Sequence, residues 1–301
     1  MSKSKIVVIG STNTDMVIKT SKLPAPGETI LGGVFYMNAG GKGANQAVAA
    51  ARLGAEVTFV AKIGDDIFGQ RAKEMLVKDR INCDYVFVDK NVASGVAQII
   101  VDAKGENSIV VAPGANNCLK TEDVMIAFDE IIKAEIILMQ LETPMATIED
   151  IAALASTRGK KVILNPAPAC FLSSELLKSL YLITPNETEA ELLTGLKVTD
   201  VESATKAAIE LQSKGVENVI ITMGSMGAFL YTNGKAVLVP TQKVVAVDTT
   251  AAGDTFNGGL AVALAEGKTL LEAVEFGNKA AAISVTRFGA QSSVPYLSEI
   301  N

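Results

Sequence analysis

Short β-branched apolar runs alternate with stretches of helical periodicity along most of this chain, and no other feature restricts its fold as much. Residues 5–9, 57–63, 135–139, 161–164, 181–183 and 218–222 are apolar runs of strand length, the pattern of strands buried on both faces. Between them, Ala44, Ala47, Val48 and Ala51 follow the i, i+3, i+4, i+7 spacing of a helix face, and 121–132, 146–158 and 201–213 behave similarly. This order predicts a mainly parallel sheet with helices on both faces. Two stretches break the rhythm. Residues 28–38 and 95–111 hold strand-like segments joined by turns such as Ala103-Lys104-Gly105-Glu106, which predicts antiparallel hairpins outside the main sheet, a small lid. Two more helices are expected over 254–266 and 269–284. With no Pro/Ser linker or repeat, residues 1–301 read as a single α/β domain whose lid comes from segments at about 12–40 and 93–112.

Composition then narrows the chemistry. The chain has no histidine, which excludes Ser-His-Asp and Cys-His hydrolysis, His-ligated metals and imidazole switching. Proton transfer falls to carboxylate, Lys, Tyr or Cys. Lys plus Arg number 27 against 33 Asp plus Glu, a net charge of −6, which argues against a nucleic-acid partner. Cys83, Cys118 and Cys170 form no C-x-x-C pair, and are expected as small buried hydrophobes in a reducing compartment. The apolar start at 6–10 is too short for a signal-peptide core, and no apolar run reaches the ~18 residues that span a bilayer. A cytoplasmic protein with no membrane partner is expected.

Ligands of an open α/β sheet gather at the carboxyl ends of its strands. Five predicted strands run out into Gly10-Ser11-Thr12-Asn13-Thr14-Asp15, Gln140-Leu141-Glu142, Asn165-Pro166-Ala167-Pro168, Pro185-Asn186-Glu187-Thr188-Glu189 and Met223-Gly224-Ser225-Met226-Gly227. Any one is an ordinary βα turn; their coincidence is the signal. Gly40-Gly41-Lys42-Gly43-Ala44-Asn45 precedes the alanine-rich helix but lacks Walker A spacing, and Gln46 stands where a dinucleotide fingerprint needs glycine. Lys42 and Asn45 can donate to hydroxyls, although a tight turn alone explains the glycines. The stretch 248–259 is stronger, because Phe256, Leu260 and Leu264 mark a helix stripe that puts Ala252, Gly253 and Asp254 at its N-terminus. Free amides there form an anion site, and Asp254 is placed to take a proton from an attacking hydroxyl; simple dipole stabilisation is the other reading. Asn186 and Glu189 have the spacing of an N-cap and its capping-box partner, with a water-mediated contact to a Mg-nucleotide as the alternative.

Taken together, these segments resemble the ribokinase family of carbohydrate and nucleoside kinases. Gly40-Gly-Lys-Gly-Ala-Asn45-Gln-Ala-Val-Ala-Ala is similar to the family's N-terminal signature and Asp248-Thr-Thr-Ala-Ala-Gly-Asp254-Thr-Phe-Asn-Gly to its C-terminal one. Asn165-Pro-Ala-Pro, Thr184-Pro-Asn-Glu-Thr-Glu189 and Thr222-Met-Gly-Ser-Met-Gly227 match in order between them, so the resemblance runs from about Ile6 to Pro295. It implies a ribokinase-like doubly wound sheet with a β-sheet lid, and a homodimer clasped through the lids. It also implies ATP-dependent phosphorylation of the 5-hydroxyl of D-ribose, giving D-ribose 5-phosphate and ADP. Fructose, deoxyribose or adenosine as acceptor, or a non-catalytic sugar or nucleotide sensor of the same fold, stay open. By the resemblance, Asn13, Asp15, Gly41, Lys42, Gly43, Asn45 and Glu142 would hold the sugar, Asp254 would be the base, and the Ala252 and Gly253 amides the anion hole. Asn186, Thr222, Met223, Gly224, Ser225, Met226, Gly227, Gly253 and Asn278 would line the ATP site, with Glu189 ordering Mg2+-bound water. Asp248 and Thr250, with carbonyls near Ser284, Arg287, Gly289 and Ser293, would hold K+; an Asp accepting N–H bonds in its own turn is the alternative for Asp248. Position 278 is Asn where some relatives carry histidine, which leaves the adenine contact open.

Overall fold

Ile6, Val7, Val8 and Ile9 are each at most 2% exposed, a burial that only a strand covered on both faces reaches. The computed structural model describes residues 4–300. Its strands are β1 (Lys5–Ile9), β2 (Asn13–Lys19), β3 (Val34–Gly40), β4 (Glu56–Gly64), β5 (Val86–Asp89), β6 (Gly95–Val101), β7 (Asn107–Ala112), β8 (Ile136–Met139), β9 (Lys161–Leu164), β10 (Leu182–Ile183), β11 (Asn218–Thr222), β12 (Ala228–Thr232) and β13 (Lys235–Val239). The helices are α1 (Lys42–Arg52), α2 (Ile67–Lys78), α3 (Thr121–Met125), α4 (Phe128–Lys133), α5 (Met145–Thr157), α6 (Ser174–Lys178), α7 (Glu187–Thr194), α8 (Val201–Ser213), α9 (Ala252–Ala265) and α10 (Leu270–Ser284).

The main sheet has nine strands in the order β13-β12-β11-β10-β9-β8-β1-β4-β5. Pairing is parallel from β11 through β5, and β12 and β13 add an antiparallel edge. The period-2 alternation of β1 divides the core in two. Ile6 and Val8 pack with Ala47, Leu260 and Val274 of α1, α9 and α10, whereas Val7 and Ile9 pack with Ile131, Ile151 and Ala207 of α4, α5 and α8. Strand order reverses at β1, since β4 and β5 lie on one side and β8 to β11 on the other. The crevice that ligands use opens at such a reversal.

Sheet two, four strands ordered β3-β2-β6-β7, stands apart. β2 and β3 pair antiparallel, as do β6 and β7, and the two hairpin-like pairs join through a parallel β2–β6 contact. Within 28–38 only the part from Val34 onward is strand. Its partner β2 reads as a loop in sequence because it opens on Asn13, Thr14 and Asp15. The single helix expected over 121–132 is two, α3 and α4, separated at Ala127 where φ is −89° and ψ 14°. The expectation of three buried cysteines is corrected as well. Cys83 is buried, but Cys118 is half-buried and Cys170, in the irregular stretch between β9 and α6, is exposed; all three are free. No helix among the described residues is long and apolar enough to cross a membrane.

Candidate active site

Chain direction changes abruptly before α9. Ala251, the residue ahead of its first turn, takes the left-handed conformation at φ 59°, an uncommon state for a residue with a Cβ. The turn uses the Ala252 N–H on the Thr249 carbonyl at 3.2 Å, so the expected pair of free amides is reduced. The Gly253 N–H keeps no main-chain acceptor among the described residues, and a Cβ built on Gly253 would meet nothing within 4 Å. The Asp254 N–H is likewise without an acceptor among the described residues, and open donors at a helix tip are a place for an anion.

Next to it, Asp254 is 7% exposed. Its Oδ2 accepts from Asn45 Nδ2 and its Oδ1 from Gln46 Nε2, both at 2.9 Å. Both donors sit on α1, and they reach because α1 and α9 nearly touch: a Cβ on Gly258 would collide with the Ala49 side chain and lie 2.9 Å from the Ala50 nitrogen. The alanine run of α1 and the glycines of α9 thus set the floor of the site.

Four more charged groups surround Asp254. Glu142, at the exit of β8, accepts through Oε2 from the Ser11 hydroxyl at 2.5 Å and the Lys42 N–H at 3.0 Å. Burial works against the Lys42 ammonium, but Asp254, Glu142, Glu189 and Asp15 outweigh it and hold its pKa above the usual lysine value. Burial, then the nearby charges of Glu142 and Asp254, pushes Asp15 up to about 7. Burial likewise raises Asp254, against the pull of Lys42 and the two amide donors. A polyhydroxyl ligand suits such a cluster, since it donates to carboxylates while adding no charge. Asn13, two residues before Asp15 on β2, is buried, and its Oδ1 takes a bond from Asn116 Nδ2 at 2.8 Å. Gly40 cannot carry a Cβ, because the Asp15 carboxyl occupies that space, and Gly41 sits at φ 88° where only glycine is relaxed. Gly43 is similarly required, its Cβ position lying 2.5 Å from the Ser11 nitrogen.

Beyond Asp254 a cleft of about 230 Å³ is lined by Lys42, Asn186, Glu189, Thr222, Gly253 and Asp254, among others. Asn186 is the N-cap of α7 and Glu189 its capping-box partner, Oδ1 accepting from Glu189 N at 2.8 Å and Oε2 from Asn186 N at 2.9 Å. Capping and cleft lining therefore coexist at both residues. Burial raises the Glu189 carboxyl, the Asn186 N–H and Lys42 opposing it. A parallel bridge ties Asn186 to Thr222, where the turn Gly224–Met226 begins. Within that turn Ser225 and Met226 are exposed, whereas Met223 is a core residue at 2% exposure and can offer only its backbone. Gly227 closes the turn at φ 103° against the Val239 carbonyl. Asn278, buried in α10, donates through Nδ2 to that same Val239 carbonyl at 3.0 Å, which sets it against the Gly227 end of the turn.

The sequence model of the pfkB family of carbohydrate kinases matches residues 3–297. This chain belongs to that family. It is 48% identical to the ribokinase of Haemophilus influenzae over 293 residues, covering 97% of this chain and 96% of that one. It is 40% identical to a deoxyribokinase of Salmonella typhi, covering 98% of this chain and 97% of the relative. Among solved structures, Arabidopsis thaliana ribokinase complexed with ribose and ATP superposes with a TM-score of 0.91 at 33% identity, over 100% of this chain and 98% of the other.

Two further features of this pfkB-family kinase complete the picture. Asp248 stays below the usual carboxylate range: burial acts upward, but the Thr250 hydroxyl at 2.6 Å and the N–H groups of Gly289 and Thr250, each at 2.9 Å, prevail. Those bonds are the turn-type contacts open to any such Asp, and they also tether the 284–293 segment to it. Inside the segment, Ser284 O accepts from Arg287 N at 3.1 Å, Ser293 Oγ donates to Ala290 O at 2.8 Å, and the Arg287 guanidinium is occupied by Glu299 at 2.5 Å. The second feature is a set of polar residues with no role foreseen in the sequence: Gln46, Gln140, Thr184 and Asn257 are buried and hydrogen-bonded to one another or to the site. Their only sequence signal was position, since all four fall within or beside the motif segments.

Proposed function

We propose that this kinase transfers the γ-phosphoryl group of ATP to the 5-hydroxyl of D-ribose, yielding D-ribose 5-phosphate and ADP. The observation that carries the reading is the Asp254 carboxylate, buried and fixed by two amides, between the Asp15–Lys42–Glu142 cluster and the open Gly253 N–H. Phosphoryl transfer asks for alignment and charge stabilisation more than covalent chemistry, which suits a chain without histidine. Asp254 takes the proton of the attacking hydroxyl while the Gly253 N–H and the positive end of α9 receive charge on the transferring group. Asn13, Asp15, Asn45 and Glu142 offer the acceptors and donors that a pentose needs, because a buried hydroxyl without a partner costs about 1–3 kcal/mol.

Metal ions enter the same proposal. The cleft is lined by the Glu189 carboxylate as well as Asp254, and Glu189 would order water around a Mg2+ held chiefly by the nucleotide's phosphates. When bound, Mg2+ neutralises phosphate charge. Asp248 and Thr250, with the carbonyls of Ser284, Arg287, Gly289 and Ser293, would supply the all-oxygen donors that a hard monovalent cation such as K+ prefers, and the Gly289 N–H bond to Asp248 supports the reading by holding the 284–293 segment beside that carboxylate. The lid supports a homodimer, since its sheet presents Phe35, Met37 and Val110 to solvent at 55%, 38% and 69% exposure. Three free thiols suit the reducing cytoplasm.

ADP release with ribose, 2-deoxyribose, fructose and adenosine, in K+ and in Na+ buffers, tests this reading. Ribose should lead, with kcat/KM for 2-deoxyribose lower by roughly ten- to a hundredfold if a buried acceptor is left empty. The similarity to a deoxyribokinase makes the reversed order the specific competitor. Equal rates in the two buffers would remove K+ from the proposal.

A further inference from the structure

We infer that Gln46 is a positioning residue for phosphoryl transfer, one that locks Oδ1 of Asp254 in its unprotonated state and so leaves Oδ2 as the oxygen that takes the substrate's proton. The inference rests on Asp254 being the base. Gln46 itself is fully buried, and so is Gln140. Gln46 Nε2 donates to Asp254 Oδ1 at 2.9 Å and to Asn165 Oδ1 at 3.0 Å, while its Oε1 accepts from Gln140 Nε2 at 2.6 Å.

Backbone carbonyls fix the direction of this string. Asn165 Nδ2 meets the Thr184 carbonyl at 3.1 Å, and a carbonyl can only accept. Asn165 must therefore turn its NH2 toward Thr184 and its oxygen toward Gln46, which in turn must present NH2. The far end is anchored in the same way: Thr184 Oγ1 donates to Asn257 Oδ1 at 2.6 Å, and Asn257 Nδ2 donates to the Gly253 carbonyl at 2.8 Å. The ring thus starts at the Asp254 carboxylate and returns to the residue before it. A proton on the side of Oδ1 that faces Gln46 would set O–H against N–H, so the bond favours that oxygen as an unprotonated acceptor.

Asn45 differs. Its Nδ2 bonds Oδ2, but its own Oδ1 is buried with no partner, so nothing prevents its amide from turning to accept from a newly protonated Oδ2. The charged groups that face Asp254 are Lys42 on α1, Glu142 after β8, Asp15 on β2 and Glu189 on α7. Lys42 favours ionised Asp254 and the carboxylates oppose it. Gln46 supports the ionised form without adding charge.

Gln46→Met and Gln46→Glu keep the side chain's length and remove the donor; their kcat and kcat/KM would be followed against pH with ribose and ATP. The expected result is a kcat loss of roughly 10- to 100-fold, KM values within a few-fold, and an acid limb raised by about one pH unit in Gln46→Met. Gln46→Glu should raise it further, because two facing carboxyls share a proton. An acid limb that coincides with the parent's in a folded variant, or a loss confined to KM, overturns the inference. If neither variant folds, Asn165→Leu carries the test by removing the acceptor that turns Gln46 Nε2 toward Asp254: a smaller upward shift supports the inference and an unmoved limb overturns it. Asp254→Asn separates the two levels. Activity in that variant defeats the base assignment itself, whereas an inactive Asp254→Asn beside Gln46 variants with the parent's limb defeats only the role of Gln46.

Discussion

Asp254 and Asp15 carry the residue-scale consequences. Asp254→Asn should cut kcat by roughly 10²–10⁴-fold and leave ribose affinity, read by calorimetry, within a few-fold of the parent. Asp15 makes a prediction about stability. Its carboxyl is pushed up to about 7 in the fold from an ordinary value of 3.8, so between those pH values the native state binds more protons than the unfolded one. Stability from this group is complete below about pH 4 and is lost as pH rises through 7. The Tm of the ligand-free enzyme should therefore fall between pH 5 and 8, and Asp15→Asn should flatten the decline; parallel Tm curves would contradict it. Legibility at this scale depended on how local the physics is. The capping pair Asn186 and Glu189 was readable because three residues of spacing define it. Gln46 was not, because its partners come from the exits of β9 and β8 and from α9, which only the folded chain brings together.

Elements meet most tightly where α1 crosses α9. Gly258→Ala drives a methyl into Ala49 and against the Ala50 backbone, an overpacking that costs about 1–3 kcal/mol. It should lower both Tm and kcat, because Asn45 and Gln46 leave Asp254 when α1 shifts. Gly253→Ala is the contrast: its Cβ meets nothing and alanine favours a helix by up to about 1 kcal/mol, so Tm should hold or rise while kcat falls as the methyl occupies the anion position. Thermal melts beside initial rates distinguish the pair. The strands of the parallel region were legible as unbroken apolar runs, since burial on both faces removes any polar alternation. β2 was hidden because its site-facing residues, Asn13 and Asp15, look like loop chemistry in a linear sequence.

At the scale of the whole molecule, the parallel pairing of β1, β8, β9, β10 and β11 puts their exits at one end, and their polar sequences had already marked that end as functional. The lid-mediated homodimer came only from the family resemblance, because single exposed apolar residues carry no address of their own. Register now places Met37, Met16, Gln98 and Val110 in one row across the second sheet, with Phe35 on the same face. Val110→Lys should convert a dimer into monomer in sedimentation velocity and raise KM for the sugar, whereas an unchanged sedimentation coefficient would place the dimer contact elsewhere. The close crossing of α1 over α9 has a last implication for how such an enzyme can diversify. Its floor has no slack into which a bulkier acceptor could sink, so a lineage or a designer seeking new sugars must reshape the roof, the strands around Asn13, Asp15 and Asn38, and leave the foundation alone.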